Sequence, residues 1–262
     1  MPLTPFQIET LFLLKQNRSP DSYIAGGAAI NRSAHSPRFS RDVDFFHDVD
    51  EAVSLSAAED LKVLHQAGYS IETLLNQPSF IRVIARKSSD AVKLEWVRDT
   101  AFRFFPILED PLLGFRLHDA DLMVNKCLAL ANREEVRDVI DLLELENNVT
   151  SLAAAIWAAC GKDPGFSPDM MIDYMKRHSR IDSVQLASEA TEPPIVAHEL
   201  KAKWLNALEQ ASIEIRQFPA AQIGCLYLDT SQEIALRPSL LKETMRILHF
   251  GTLRGSWPRI VR

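Results

Sequence analysis

The sequence predicts an α+β fold, in which an N-terminal mixed sheet with flanking helices precedes a mainly helical C-terminal domain. Over roughly the first hundred residues, short β-branched and aromatic runs alternate with helical patterns. Beyond Arg116 the apolar residues keep mostly to helical spacing. Pro111 and Gly114, which are typical of turns, lie between these two regions, so the expected domains are residues 1–112 and 113–262.

The N-terminal region begins with a predicted helix, because residues 5–15 place apolar side chains at helical spacing. A second helix is predicted over Ser56–Ala67, with Gly68 as its stop signal. Ser88-Ser89-Asp90 suits a hairpin turn. Strands are predicted over Tyr23–Ala25, Val43–His47, Ile71–Leu75, Phe80–Ala85 and Val92–Val97.

The C-terminal region reads as a series of helices followed by a short apolar run at Cys225–Leu228. The predicted helices cover Ala120–Asn132, Glu134–Leu145, Ser151–Cys160, Pro168–Arg177 and Ile195–Ile215.

Composition excludes several classes of protein. Of 262 residues, 47% are apolar and 24% charged, which is ordinary for a folded protein and excludes a disordered chain. The net charge of −6 argues against a protein that coats nucleic acid. No membrane span or signal peptide is evident, and three scattered cysteines form no disulfide framework. We therefore expect a cytoplasmic protein with buried thiols and no membrane association.

The most informative segment runs from Tyr23 to His47 and carries two aspartates at the start of a strand. Asp42 and Asp44 are two residues apart, so they project to the same face. Their mutual repulsion is relieved if a cation binds between them, and carboxylate oxygens suit Mg²⁺ or Mn²⁺. Gly26-Gly27, which follows a short strand, allows a backbone to approach a phosphate closely. The alternative to a metal site is that Asp42 and Asp44 are simply solvated at an exposed strand edge.

Two further residues complete this prediction. Glu95 lies mid-strand on the polar face of VKLEWV, so a neighbouring strand could bring it to the aspartates as a third carboxylate. The alternative is a Glu paired with a lysine across strands. Lys126, on the polar side of a predicted helix, could reach a triphosphate as a mobile point charge. The alternative for its segment is an ordinary salt-bridged helix surface.

Three motifs resemble the nucleotidyltransferase superfamily, and in particular its AbiEii/AbiGii toxin-like family. They are GGAA from Gly26, R-x-S-x-D-x-D from Arg38 to Asp44, and the segment from Asp121 to Leu142. The resemblance implies a nucleotidyltransferase-like N-terminal domain, a phosphate-binding role for the first motif and divalent metals held by three carboxylates. It assigns site roles to Gly26, Gly27, Ser40, Asp42, Asp44 and Lys126. It also assigns a role to Glu95, where the local match to the family is poorest. The chain departs from the pattern by carrying Gly27 where many members have serine.

The leading hypothesis is a metal-dependent nucleotidyltransferase that moves an NMP from an NTP to a hydroxyl of an RNA 3′ end or a protein. Mg²⁺ ions held by Asp42, Asp44 and Glu95 would bridge the phosphate oxygens. From the family resemblance we also expect that the protein is a toxin and has a cognate antitoxin. Two alternatives stay open: a non-catalytic binding module of the same fold, and an enzyme that modifies a small molecule such as an aminoglycoside antibiotic.

The C-terminal segment from Arg237 to Arg262 carries six basic residues against one acid, Glu243. With Trp257 it could contact RNA through phosphate neutralisation and base stacking. The alternative is a tail packed on the helical domain.

Overall fold

The computed structural model describes residues 3–33, 36–181 and 183–258. Contacts divide the chain into two units: residues up to Ala101 with Pro106–His118, and Phe102–Phe105 with the residues from Asp119 onward. The domain boundary at residue 112 stays a prediction, because a division by contacts does not test which part of the chain folds by itself.

The first part of the chain alternates helices and strands. In chain order the elements are α1 (Pro5–Leu14), β1 (Tyr23–Ala25), α2 (Gly26–Ile30), β2 (Asp42–His47), α3 (Asp50–Gln66), β3 (Ser70–Gln77), β4 (Phe80–Lys87), β5 (Asp90–Arg98), β6 (Phe102–Arg103), β7 (Leu108–Asp110) and β8 (Gly114–Arg116). Each of the strands and helices predicted here is present.

The main sheet is mixed, as the sequence predicts. Among the residues that the structure describes, seven strands follow the order β3-β4-β5-β2-β1-β8-β7. The β2–β5 and β1–β8 pairs are parallel, and the other neighbours are antiparallel. The predicted hairpin joins β4 to β5 through Ser88 and Ser89. The central position of β2 is therefore set by a parallel crossover through α3, β3 and β4.

Local signals fix where the helices begin and end. Thr4 and Gln7 form a capping box at the start of α1, with Pro5 in its first turn. Asp50 and Glu51 lie in the first turn of α3, where negative charge is favourable.

Alternate residues of β2 and β5 face opposite sides of the sheet. Val43, Phe45, Leu94 and Trp96 are fully buried, whereas Asp42, Asp44, Lys93 and Glu95 on the other face are partly exposed. Phe45 and Trp96 stack with ring centroids 5.4 Å apart. The buried face packs on α1 and α3. Burying the aromatic face against helices therefore leaves a row of charged residues on the opposite face of the same two strands.

The second unit is mainly helical, as predicted. Its elements from residue 119 are α4 (Asp119–Asn132), α5 (Val136–Asn148), α6 (Leu152–Lys162), α7 (Pro168–His178), α8 (Ser183–Ser188), α9 (Ala197–Ile215), β9 (Cys225–Leu228), β10 (Ile247–Phe250) and β11 (Thr252–Leu253). Helix α6 is buried along residues 152–160 and packs on α4, α7, α9 and β9. The apolar run that it carries is thus buried among the elements of this unit.

The predicted burial of the three cysteines is confirmed. The thiols of Cys127, Cys160 and Cys225 are free and buried. Of the helices that the structure describes, none has both the length and the apolar character that crossing a bilayer requires.

Candidate active site

Asp42 and Asp44 lie on the same face of β2, as the sequence predicts. Their strand alternates between partly exposed and buried residues, and both aspartates belong to the partly exposed set. Asp44 is paired with Ala25 of the antiparallel neighbour β1. The chain leaves β1 at Ala25 and turns into Gly26, so the register itself brings the glycine turn beside the second aspartate.

Glu95 reaches this face from the other neighbour of β2. In the parallel β2–β5 pair, Asp44 lies opposite Glu95 and Asp42 lies opposite Lys93. Residues opposite each other on adjacent strands project to the same side. The three carboxylates that the sequence analysis selected thus lie on one face of two adjacent strands.

Two basic side chains contact these carboxylates. Lys93 Nζ lies 2.9 Å from Asp42 Oδ2 and 3.2 Å from Glu95 Oε1. Arg82 of β4 donates from Nε to Glu95 Oε1 at 2.8 Å. Burial opposes the charge of Lys93, but its hydrogen bond to Asp42 and the attraction of both acids outweigh burial and raise the pKa of the amine. Glu95 is therefore ion-paired, but its partner across strands is Arg82, and the lysine that contacts it, Lys93, lies on its own strand.

The turn at Gly26-Gly27 is shaped around side chains of the same site. Gly26 has φ +63°, and a Cβ added there would lie 2.5 Å from Asp44 Oδ2. Helix α2 starts at Gly26 without a side-chain cap. The glycine lets the backbone approach the carboxylate more closely than any other residue would allow.

Gly27 lies against the motif that precedes β2. A Cβ at Gly27 would lie 3.0 Å from Arg38 Nη2 and 3.0 Å from Ser40 Oγ. Ser40 Oγ donates to the carbonyl of Asp42 at 2.9 Å, and the Ser40 carbonyl accepts from Gln7 Nε2 at 2.9 Å. Ser40 thus fixes the entry of the chain into β2, and a nucleotide contact by its hydroxyl stays a prediction.

Lys126 lies in the second unit, where it belongs to a buried ion cluster. Its Nζ is 2.6 Å from Asp138 Oδ1 and 2.7 Å from Asp141 Oδ2, and Arg133 Nε is 2.8 Å from Asp138 Oδ2. Burial acts to raise the pKa of Asp138, but Lys126 and Arg133 outweigh it and lower that pKa. The cluster joins α4 to α5, and a triphosphate contact by Lys126 stays a prediction.

The basic C-terminal segment packs largely within the second unit. Strand β10 pairs with β9, and the guanidinium of Arg246 lies over the rings of Phe218 and Tyr227. Arg237 Nη1 is 3.4 Å from Glu146 Oε1. Arg259 and Arg262 lie outside the described residues. This packing agrees with the second interpretation of the segment, and an RNA contact there stays a prediction.

The carboxylate oxygens of Asp42, Asp44 and Glu95 are hard donors of the kind that Mg²⁺ and Mn²⁺ take, so the chemistry of the donor set fits such an ion. In the part of the chain that the structure describes, no group of three or more His, Cys, Asp or Glu side chains is arranged to hold a metal. The ammonium of Lys93 contacts two of the three carboxylates, those of Asp42 and Glu95.

Sequence reasoning gave no site role to Lys93, Arg82 or Arg38. Period-two alternation on β5 did place Lys93 on the face of Glu95, so a signal for that residue existed. Arg82 is brought in by the register of the β4–β5 hairpin, and Arg38 by the loop that precedes β2. Those contacts depend on pairing between distant segments, which a local pattern does not encode.

Paired aspartates beside a glycine turn, on a mixed sheet followed by helices, define the nucleotidyltransferase class, and a comparison with protein-family models supports this class. Residues 13–221 match the model of the nucleotidyl transferase AbiEii toxin of type IV toxin–antitoxin systems. The chain therefore belongs to the AbiEii nucleotidyl transferase family and is an enzyme of that class. The family resemblance drawn from the sequence is confirmed.

Two known structures from Helicobacter pylori show the same fold at low sequence identity. A Helicobacter pylori protein assigned as a nucleotidyltransferase has a TM-score of 0.52 at 16% identity, with 80% of this chain and 94% of that chain covered. JHP933 from Helicobacter pylori also has a TM-score of 0.52, at 17% identity, with 80% and 91% covered. MenT4, a nucleotidyltransferase toxin of Mycobacterium tuberculosis, has a TM-score of 0.47 at 15% identity, with 82% and 83% covered. A comparison with curated protein sequences finds no match.

Proposed function

We propose that the protein is a metal-dependent nucleotidyltransferase that moves an NMP from an NTP to an acceptor hydroxyl, on an RNA 3′ end or a protein. One observation carries the proposal: Asp42, Asp44 and Glu95 share a sheet face beside the left-handed turn at Gly26. The binding-module alternative predicted that Glu95 would lie far from the aspartates, whereas it lies opposite Asp44.

In this proposal the chain binds and orients the reactants without a nucleophilic side chain. The backbone at Gly26-Gly27 approaches the phosphates, with the Arg38 guanidinium and the Ser40 hydroxyl beside it. Asp42 and Asp44, with Glu95 beside them, are the groups that would hold Mg²⁺ or Mn²⁺. When bound, such an ion supplies charge neutralisation for the phosphates and activation of the acceptor hydroxyl. Catalysis then follows from positioning and electrostatics.

The family is one of toxins in type IV toxin–antitoxin systems. We extend the proposal to a protein that acts as a toxin and has a cognate antitoxin. The acceptor and the antitoxin are the two partners that this proposal requires beyond the NTP.

The test is transfer of label from each of the four NTPs to total RNA or lysate protein, in the presence of Mg²⁺. We expect Asp42→Asn with Asp44→Asn to reduce transfer at least about a hundredfold, since the charge that holds the cation is removed while the side-chain shape is kept. The matched control is Asp90→Asn with Asp99→Asn, which changes the same charge at the first residue of β5 and at the residue that follows its last.

Each outcome of this test has a definite meaning. Transfer that survives in the Asp42/Asp44 double variant would refute the site assignment. An equal loss in the control double variant would assign the effect to net charge instead. Label that passes to an added aminoglycoside, and to neither RNA nor protein, would favour the small-molecule alternative.

A further inference from the structure

We propose that Lys93 is a built-in cation of this site, and that the site consequently takes one divalent ion at Asp42 and Asp44 instead of two ions. The inference rests on the proposed function for the presence of a metal ion. It adds a positioning residue and a metal stoichiometry, neither of which the family match states.

The position of Lys93 follows from its strand register. It lies opposite Asp42 and two residues before Glu95 on β5, so all three side chains project to one face. Its Nζ is within 3.2 Å of an oxygen of both acids. The side chains of Asp42 and Glu95 are only 16% and 13% exposed, and that of Lys93 is 30% exposed. A cationic group is therefore already in contact with both Asp42 and Glu95.

Glu95 is also held from its other side. Arg82 lies opposite Glu95 in the β4–β5 hairpin and donates from Nε to Glu95 Oε1 at 2.8 Å. Oxygen Oε1 of Glu95 thus contacts both a guanidinium and an ammonium. A carboxylate engaged by two cations is a poor ligand for a third, because each cation reduces the negative potential at its oxygens.

The formal charges support one divalent ion. Asp42, Asp44 and Glu95 contribute −3, and Lys93 and Arg82 contribute +2, so the five side chains sum to −1. Two divalent ions would bring +4 to this group, whereas one brings +2. Lys93 thereby supplies part of the positive charge that a second ion would otherwise provide, and it contacts both Asp42 and Glu95.

The experiment measures Mn²⁺ binding without nucleotide, by electron paramagnetic resonance of the free ion and by calorimetry. It compares the wild type, Lys93→Met, Lys93→Arg and the Asp42→Asn/Asp44→Asn double variant. Lys87→Met is the matched control, because Lys87 of β4 pairs with the single carboxylate of Glu9 at 2.9 Å. Thermal melting of each variant without metal verifies that it is folded.

We expect one Mn²⁺ per wild-type chain. Lys93→Met should bind Mn²⁺ on the order of tenfold more tightly, since a positive charge beside the ligands is removed. Lys93→Arg, which keeps the charge, and Lys87→Met should bind like the wild type.

Three results would overturn it: two Mn²⁺ ions on the wild type, unchanged or weaker binding by Lys93→Met, or equal tightening in Lys87→Met. In each case Mn²⁺ binding that depends on Asp42 and Asp44 would leave the proposed function intact. Absence of binding in all variants would instead contradict the metal requirement itself, and the inference would fail with it.

Discussion

At the scale of single residues, Gly26 explains why a carboxylate and a backbone turn can share one small site. Its φ of +63° lies in the left-handed region, and the space that a Cβ would fill is taken by Asp44 Oδ2 at 2.5 Å. Both constraints exclude a side chain, the first through backbone strain and the second through direct overlap. The residue therefore couples the conformation of the turn to the position of the aspartate.

Gly26→Ala should consequently damage activity more than stability. We expect a loss of about 1–2 kcal/mol in the free energy of unfolding from the left-handed backbone. Nucleotidyl transfer should fall by about a hundredfold, since Asp44 must move away from the new methyl group. Urea unfolding and the label-transfer assay measure the two effects separately.

Gly68→Ala is the control for this prediction. Gly68 has φ +83°, and nothing lies within 4 Å of an added Cβ. It should show a similar stability loss with unchanged transfer. Equal transfer rates in the two alanine variants would contradict the role assigned to the contact between Gly26 and Asp44.

At the scale of elements, period-two patterns predicted which residues of β2 and β5 share a face, and the structure agrees. Together with the Gly26-Gly27 turn, that local signal selected Asp42 and Asp44, and it placed Glu95 on a polar strand face as a third carboxylate. It did not predict β7 and β8, which are three residues long and carry no alternating apolar run. Nor could it show that Lys126 Nζ lies between Asp138 and Asp141, because the angle between α4 and α5 is a tertiary property.

A second element-scale feature is the buried polar network on the opposite face of the sheet. His47, at the end of β2, lies with Nε2 3.1 Å from Ser22 Oγ, which in turn accepts from Arg18 Nη1 at 2.8 Å. Arg18 forms a fully buried ion pair with Asp60 of α3 at 2.5 Å. Burial, followed by the positive charge of Arg18, lowers the pKa of His47 to about 4.

This shift predicts a loss of stability in acid. An unfolded histidine titrates near pH 6.5, so below that pH the unfolded chain binds a proton that the folded chain does not accept until about pH 4. Stability is therefore full above pH 6.5 and falls as the pH decreases toward 4. Between pH 8 and pH 5 the loss from this one group is about 2 kcal/mol.

Replacing His47 by Gln should remove that component. Urea unfolding at pH 8 and pH 5 should show a pH dependence about 2 kcal/mol smaller for His47→Gln than for the wild type. His65→Gln, at an exposed position of α3, should keep the wild-type dependence. The same pH dependence in all three proteins would show that His47 is not held neutral in the folded state.

At the scale of the whole molecule, each unit contains a buried ionic cluster that joins separate elements. Arg18 and Asp60 do so in the first unit, and Lys126 with Asp138 and Asp141 in the second. Such groups stabilise a fold only as complete sets, since removing one partner leaves a buried charge without compensation. The net charge of −6 is a sum over all residues, so it does not reveal these buried charges, each of which affects the stability of its unit.

Lys126→Met tests whether that lysine serves the fold or the nucleotide. Its removal leaves Asp138 with Arg133 alone and takes the ammonium from Asp141, so we expect a loss of about 3–5 kcal/mol in the free energy of unfolding. Lys176→Met, at an exposed position in the last turn of α7, should change it by less than about 0.5 kcal/mol. Denaturant unfolding of both variants gives these values. A Lys126→Met protein as stable as the wild type, with a raised KM for the NTP, would instead assign Lys126 to the triphosphate.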